Sequence, residues 1–379
     1  MALEEGKTTL ISCMSEVPDP RHQYNLRHKF IDIVVIVITA ILCGMEGWCE
    51  IEDWAKAERN WLGSFLELPN GIPSHDTMNR VFQMIDPLAF HKAFITWVDG
   101  VWGKISGVVA IDGKTIRRSK EVVSGLLPAH VVSAWATEVS LVLGQLKTSE
   151  KSNEITAIPE LLDLLDISGC IVTIDAMGTQ KEIAKKIKEK KAEYILQVKG
   201  NQDKLQSDTA LYFEEEVLKQ DKGELKKEDR YWKDVCNEHG RFEKREYYVE
   251  NNVSWLAERN PGWESLSGIG CCVSTVEKNG TTTVTTSYYI FSCEMSAEKF
   301  GKSRRRHWGI ENGLHWVLDC AFREDDCRAR AGNVAENMNV VRHITMNLLK
   351  QEKTYKHGIN AKRKKCSYDQ NYRKKVLGL

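Results

Sequence analysis

Two short apolar segments of the chain each end in an aspartate, and a glutamate lies far downstream on a predicted helix. Residues 108–111 precede Asp112, residues 170–174 precede Asp175, and Glu311 follows a basic segment. A carboxylate at the edge of a strand is costly unless a cation meets it. Hard divalent cations prefer such oxygen ligands, and paired metal ions promote in-line phosphoryl transfer. The three acids are therefore candidate ligands for two Mg²⁺ ions.

A second pattern surrounds Glu311 and offers a different metal. His307, Glu311, His315 and Asp319 recur every four residues, so a helix places them on one face. Histidine and carboxylate ligands at this spacing can bind zinc. However, four ligands from one straight helix cannot surround one ion, so the sequence favours Mg²⁺. Asp319 and Glu324 remain alternative third carboxylates.

The overall charge gives no hint of a partner, but its distribution does. The chain has 53 basic and 53 acidic residues, whereas residues 350–379 contain ten Lys or Arg against two acids. Such a cluster fits a polyanion partner or a solvated tail, and the sequence leaves both open. Basic side chains near the acids are candidate contacts to DNA phosphates, although each could equally be a surface charge. These candidates are Lys114, Lys199, Arg241 and Arg306.

Cysteine spacing and hydropathy favour a cytoplasmic protein without a membrane span. None of the eleven cysteines forms a Cys-x-x-Cys pair, so buried free thiols in a reducing compartment are expected. Residues 1–16 lack the pattern of a signal peptide. Residues 30–45 form the longest apolar segment, but it is shorter than the roughly 20 residues that a spanning helix needs and contains Asp32. We expect a core helix there.

Residues 1–107 are predicted to form a helical N-terminal domain that binds DNA or supports assembly. One of its helices, residues 74–85, has Ser74 as a plausible N-cap. This helix either packs through its apolar face alone or also presents polar side chains to DNA. The polar candidates are His75, Asn79, Arg80 and Gln83.

Residues 108–350 are predicted to form an α/β catalytic domain. A strand with Asp112, two further strands, a helix, a strand with Asp175, a helix and another strand follow in this order. This order matches a ribonuclease-H-like sheet, in which the third carboxylate arrives on a later helix. The predicted strands and helices are 108–112, 130–139, 141–147, 154–165, 170–177, 180–191 and 194–199.

Residues 203–300 are predicted to be a β-rich part of this domain. Strands are expected at 241–250, 270–277 and 281–292, and the last two flank Asn279-Gly280, a hairpin turn signal. The strands could form an insertion or extend the sheet, and the sequence does not decide between them. Residues 351–379 are predicted to be a basic C-terminal tail.

Several segments in fixed order resemble one known family. AIDGKTIRRS, HVVSA, LGQLKTSEKSNEITAIPELL, IVTIDAMGTQKEIA, LQVKGNQ, HGRFEKREYYV and HWGIENGLHWVLDCAFRED resemble the ISAs-type insertion-sequence transposases, which include the H-repeat-associated proteins of the DDE superfamily. The resemblance covers about residues 19–347. It implies that Asp112, Asp175 and Glu311 are the catalytic triad and bind two Mg²⁺ or Mn²⁺ ions.

The resemblance also implies a reaction and partners. We expect a transposase that hydrolyses DNA at the ends of its element and joins the freed 3′-OH to target DNA. Its partners would be the terminal inverted repeats, the target DNA and further copies of the chain, as a dimer or higher oligomer at the nucleoid. The alternatives are a catalytically silent DNA-binding relic and, on the His307 pattern, a zinc hydrolase.

Overall fold

The computed structural model of the chain describes residues 8–22, 24, 26–119, 128–148, 154–238 and 240–379. Its helices α1 to α16 span, in chain order, Leu10–Ser15, Phe30–Leu42, Trp48–Ala57, Arg59–Leu62, His75–Met84, Pro87–Trp102, Glu154–Leu164, Lys181–Glu189, Asp203–Tyr212, Lys222–Lys227, Ser254–Arg259, Ala297–Ile310, Trp316–Phe322, Val334–Gln351, Ile359–Tyr368 and Gln370–Leu377. Its strands β1 to β9 span Val108–Thr115, His130–Ala136, Leu141–Lys147, Ile171–Ile174, Glu193–Val198, Tyr231–Glu238, Arg241–Glu250, Gly268–Lys278 and Thr281–Phe291.

All nine strands form one mixed sheet in the order β3-β2-β1-β4-β5-β9-β8-β7-β6. β1 is antiparallel to β2 and parallel to β4, and β4 is parallel to β5. The apolar residues that open β1 are buried on both faces, as a central strand requires. The predicted mixed α/β fold is confirmed.

The β-rich segment continues the central sheet. β9 pairs antiparallel with β5, and the β8–β9 hairpin turns at Asn279 and Gly280, both with positive φ. The hairpin prediction is confirmed. β6 and the short helices α9, α10 and α11 were not predicted, because charged residues interrupt the apolar periodicity of these segments.

The apolar helix α2 lies in the core of the molecule. Every residue of this helix except Ile31 is buried, and Asp32 accepts a hydrogen bond from the Leu68 amide at 3.0 Å. The prediction of a core helix is therefore confirmed. Within the described ranges, the chain has no helix with the length and hydropathy needed to span a membrane.

Helix α14 joins the helices α2, α5 and α6 to the sheet. Nearly all of its residues are buried, and it packs against α2, α5, α6 and β3. Asn337 donates to the carbonyls of Phe82 at 2.9 Å and Ile85 at 3.1 Å. On the sheet side, Asn347 exchanges two hydrogen bonds of 2.9 Å with the backbone of Val142. The helices of residues 10–102 thus share one hydrophobic core with the sheet.

The basic C-terminal segment is folded, which differs from the predicted tail. It forms α15 and α16, and Lys362, Arg363 and Arg373 are buried. Arg363 donates to a carbonyl near the end of α2, and Arg373 pairs with Glu58 at 3.1 Å. Backbone carbonyls and acids of the folded chain satisfy these cations, so Lys362 and Arg363 are not part of a solvated tail. Lys364 remains exposed.

Candidate active site

Two neighbouring parallel strands place the two aspartates at one edge of the sheet. Ile111 of β1 lies opposite Ile174 of β4, and each is followed directly by its aspartate. Strands that run parallel and in register bring the residues at corresponding positions together. The structure therefore brings Asp112 and Asp175 together.

Backbone hydrogen bonds orient both carboxylates. Asp175 accepts from the amides of Met177 at 3.0 Å and Gly178 at 3.2 Å in the turn that follows β4. Asp112 accepts from the Gly113 amide at 3.0 Å. Each carboxylate keeps a second oxygen that can accept a ligand.

Glu311 reaches the aspartates from the helical layer. It begins a π-helical turn, Glu311–His315, between α12 and α13, and α12 packs against β1 and β4. His315 Nδ1 lies 3.3 Å from Glu311 and 3.5 Å from Asp112. One potential ligand atom from each of these three residues lies within 4.8 Å of the others. The wide π turn is common at functional sites.

A single cavity of about 460 Å³ contains all three acids. Asp112, Asp175 and Glu311 line it together with Lys199 and Arg304. Arg304 is held in place by a hydrogen bond of 2.7 Å from its Nε to the Tyr289 hydroxyl. The basic segment around Arg304 is evident in the sequence, but the sequence does not show which of its members faces the acids.

The electrostatics of the cavity favour a bound cation. Burial raises the pKa of Asp112 to about 7, and repulsion from Glu154, Asp175 and Glu311 adds to this effect. Burial also lowers the pKa of His315, so its imidazole is neutral near pH 7. No cation among the described residues offsets the shift in the pKa of Asp112, although Lys199 and Arg304 line the same cavity, and a divalent cation would supply that charge.

The four-residue zinc pattern does not converge on one point. His307 Nδ1 lies 3.0 Å from the Thr173 hydroxyl, and burial lowers the pKa of His307 to about 4. Asp319 instead pairs with Lys114 at 2.6 Å. Among the four residues of this pattern, Glu311 and His315 alone belong to the group of potential metal ligands that also includes Asp112, within the part of the chain that the structure describes.

Lys114 lies beside the site but does not line its cavity. Its ammonium contacts Asp319, Glu324 at 2.9 Å and Asp325 at 3.4 Å, and its side chain is 11% exposed. The alternative third carboxylates, Asp319 and Glu324, are therefore engaged by Lys114. Glu311 is the acid that completes the cavity.

The other predicted phosphate contacts lie in different places. Lys199 lines the cavity, whereas Arg306 pairs with Glu138 at 2.7 Å near the start of β1. Arg241 lies on β7 and pairs with Glu243 at 3.2 Å. Of these three, the structure brings Lys199 alone to the acids.

Comparisons with known proteins show which proteins this chain resembles. A model described as a transposase DDE domain matches residues 104–348, and a DDE_Tnp_1-associated model matches residues 11–98. The H repeat-associated putative transposase YhhI of Escherichia coli (strain K12) is 41% identical, over 97% of each chain. The putative transposase YncI of Escherichia coli O157:H7 is also 41% identical, over 97% of this chain and 94% of that protein.

One solved structure is a more distant neighbour. The cryo-EM structure of the piggyBac transposase synaptic complex with hairpin DNA covers 99% of this chain and 83% of its own, at 9% identity and a TM-score of 0.43. A structural similarity this low does not support the assignment of any residue or any detail of the fold. The family model and the relatives, which span nearly the whole chain, are decisive: the chain belongs to the family of transposases with a DDE domain.

Proposed function

We propose that this transposase cleaves DNA at the ends of its element and joins the freed 3′-OH to target DNA. The observation that supports this most directly is the convergence of Asp112, Asp175 and Glu311 on one cavity. We further assign the catalytic part as ribonuclease-H-like. The order β3-β2-β1-β4-β5, with the first three strands antiparallel and the last two parallel to β1, supports this assignment.

The donor set of the cavity fits hard divalent cations. Carboxylate oxygens are the ligands that Mg²⁺ and Mn²⁺ prefer, and the pKa of Asp112 is raised because this acid is buried and lies near other acids. Asp112, Asp175 and Glu311 would hold two such ions. When bound, paired metal ions activate the attacking oxygen and stabilise the leaving oxygen of an in-line displacement.

The protein's own groups prepare and orient this reaction. The Gly113, Met177 and Gly178 amides fix one oxygen of each aspartate. Asp112 would give up its remaining proton to serve as a ligand, because its pKa lies close to neutrality. Lys199 is exposed on the cavity wall, where its charge can attract the DNA phosphodiester.

The first six helices would serve DNA binding or assembly. In α5, the Ser74 hydroxyl accepts from the Thr77 amide, and the apolar face is buried, which leaves Arg80 exposed. His75 is held by Glu52 at 2.6 Å and is less available to DNA. We propose the terminal inverted repeats and target DNA as partners, with two or more copies of the chain acting together at the nucleoid.

Substitution of each acid tests the proposed reaction. Asp112→Ala, Asp175→Ala and Glu311→Ala should each lower Mg²⁺-dependent cleavage of element-end DNA by about a thousandfold or more, equivalent to roughly 4 kcal/mol. Binding to the same DNA, measured without divalent metal, should change little. Glu277→Ala, an exposed acid on β8, is the control and should cleave normally.

The outcomes of this experiment separate the candidate functions. Near-normal cleavage by one variant would remove that residue from the triad. Binding of element ends by the wild-type chain without any cleavage would identify a catalytically silent DNA-binding relic. Activity that requires zinc and fails with Mg²⁺ and Mn²⁺ would contradict the proposed metal chemistry.

A further inference from the structure

A second cavity, of about 590 Å³, lies apart from the acids. It is bounded by Trp48 of α3, Asn79 of α5, the segment 323–331 and the first turns of α14. It shares no lining residue with the cavity that contains Asp112, Asp175 and Glu311. We call it the arginine cavity because four arginines line it, namely Arg323, Arg328, Arg330 and Arg342.

The floor of the arginine cavity holds a buried arginine, two of whose nitrogens lack a hydrogen-bond acceptor within the described part of the chain. Arg342 is 2% exposed, and its Nε and Nη1 have no hydrogen-bond partner among the described residues. The Glu324 carboxylate lies 3.8 Å from Nη1, and it is already bound by Lys114 at 2.9 Å and by Asn339 at 2.6 Å. A buried guanidinium with free donors is costly, and an anion would satisfy it.

The charges at the rim also favour an anion. Two acids line the cavity against its four arginines; Glu46 is paired with an arginine outside the cavity, whereas Asp326 is shared with Arg323 of the same cavity. Glu46 pairs with Arg363 at 2.6 Å, while Asp326 pairs with Arg118 at 3.1 Å and Arg323 at 3.2 Å. Guanidinium groups bind phosphate oxygens in a bidentate manner, so a phosphate is the ligand that this surface fits best.

The segment between α13 and α14 holds the arginine cavity in a fixed place relative to the active site. At its start, Asp325 accepts from the Arg117 amide at 3.3 Å and contacts Lys114, which lies two residues after Asp112. At its end, the Asn333 amide donates to the Gln83 carbonyl at 3.1 Å. A ligand in the cavity would therefore be positioned by β1 and α5 together.

From these observations we infer that the arginine cavity binds a backbone phosphate of DNA, separate from the phosphodiester that is cleaved. The inference rests on the proposed function, because it assigns the polyanion to the DNA on which the active site acts. Arg328 would contact the phosphate from the rim and Arg342 from the floor. Such a contact positions the duplex without reading its sequence.

The salt dependence of DNA binding tests the inference without requiring cleavage. The full chain is titrated with a short duplex of arbitrary sequence in EDTA at several salt concentrations. Each lost phosphate contact should lower the slope of log affinity against log salt by about 0.9. The double variant Arg328→Gln, Arg330→Gln should therefore lose about 0.9 to 1.8 from that slope. Both side chains are exposed, so the fold should tolerate the change.

A matched control removes two charges elsewhere. Lys226→Gln with Lys227→Gln alters exposed residues of α10 and should leave the slope unchanged. A wild-type slope in the arginine variant, or an equal loss in the control, would overturn the inference while leaving the proposed reaction intact. Failure of the wild-type chain to bind any duplex would instead contradict the proposed function and the inference with it.

A second measurement distinguishes DNA from a free nucleotide. Thermal unfolding of the wild-type chain is followed with the short duplex or with dAMP as the added ligand. Stabilisation by the duplex that is reduced in the arginine variant supports the inference. Stabilisation by dAMP that is lost in the same variant, with none from the duplex, would identify a nucleotide site and overturn it.

Discussion

Two charged side chains of strand β1, separated by one residue, lie in opposite electrostatic surroundings. Asp112 lies near Glu311 and Asp175, and the imidazole in contact with it has a pKa lowered by burial. Lys114 lies among Asp319, Glu324 and Asp325 and forms ion pairs with all of them. One site therefore has like charges together, whereas the other has its charges matched.

This difference in charge balance shows which cluster stabilises the fold and which cluster is suited to bind a cation. Burial alone would raise the pKa of Glu324, but the charges of Lys114 and Arg342 bring it below its usual range. The pKa of Asp112 stays high because burial and neighbouring acids act in the same direction. Matched buried charges belong to the structure, and unmatched ones mark a place where a cation binds.

The largest expected effect on stability comes from breaking the matched cluster. Lys114→Met would leave Glu324 buried without its main partner, so the free energy of unfolding should fall by about 3–5 kcal/mol. Urea unfolding of the metal-free chain measures this loss. Lys199→Met makes the same chemical change at an exposed residue of the active-site cavity and should cost no more than about 0.5 kcal/mol. Similar losses in the two variants would mean that the ion pairs of Lys114 do not stabilise the fold more than Lys199 does.

The unmatched cluster should respond to metal instead. Mg²⁺ at a hundred times its dissociation constant should add about 2.7 kcal/mol to the free energy of unfolding, because it binds the folded chain preferentially. In Asp112→Asn this increment should be greatly reduced, while the metal-free variant should be at least as stable as the wild type, since a repulsive charge is gone. Equal stabilisation of both proteins by Mg²⁺ would place the metal elsewhere.

Local patterns in the sequence were sufficient to predict the elements that carry the acids. β-Branched residues mark β1 and β4, and the spacing of Met78, Val81 and Phe82 behind Ser74 marks α5. The β3 bounds and the β8–β9 turn follow from equally local signals. These features depend on neighbours in the chain, which the sequence displays directly.

The features that the sequence did not predict depend on contacts between residues that are far apart in the chain. The partners of Lys114 lie about two hundred positions later, and the groups that bury Arg363 lie more than three hundred positions earlier. A basic segment looks solvated unless these partners are known, so α15 and α16 could not be anticipated. The π turn at Glu311 has no periodicity of its own, and its role in bringing His315 to Asp112 emerges only from packing against β1.

The smallest expected effect is the release of at most one proton from Asp112 when metal binds, and this release depends on pH. Its pKa of about 7 in the folded chain exceeds its ordinary value of 3.8, so folding favours the protonated acid. This contribution to stability is fully present below pH 3.8 and is lost as the pH rises to about 7. The same proton must leave when metal binds, so calorimetry in buffers of different ionisation enthalpy should show release of nearly one proton at pH 6 and very little at pH 8. Asp112→Asn should abolish both the release at pH 6 and this part of the stability profile. Equal proton release at the two pH values in the wild type would show that Asp112 is already ionised, and the contrast with Lys114 would then rest on geometry alone.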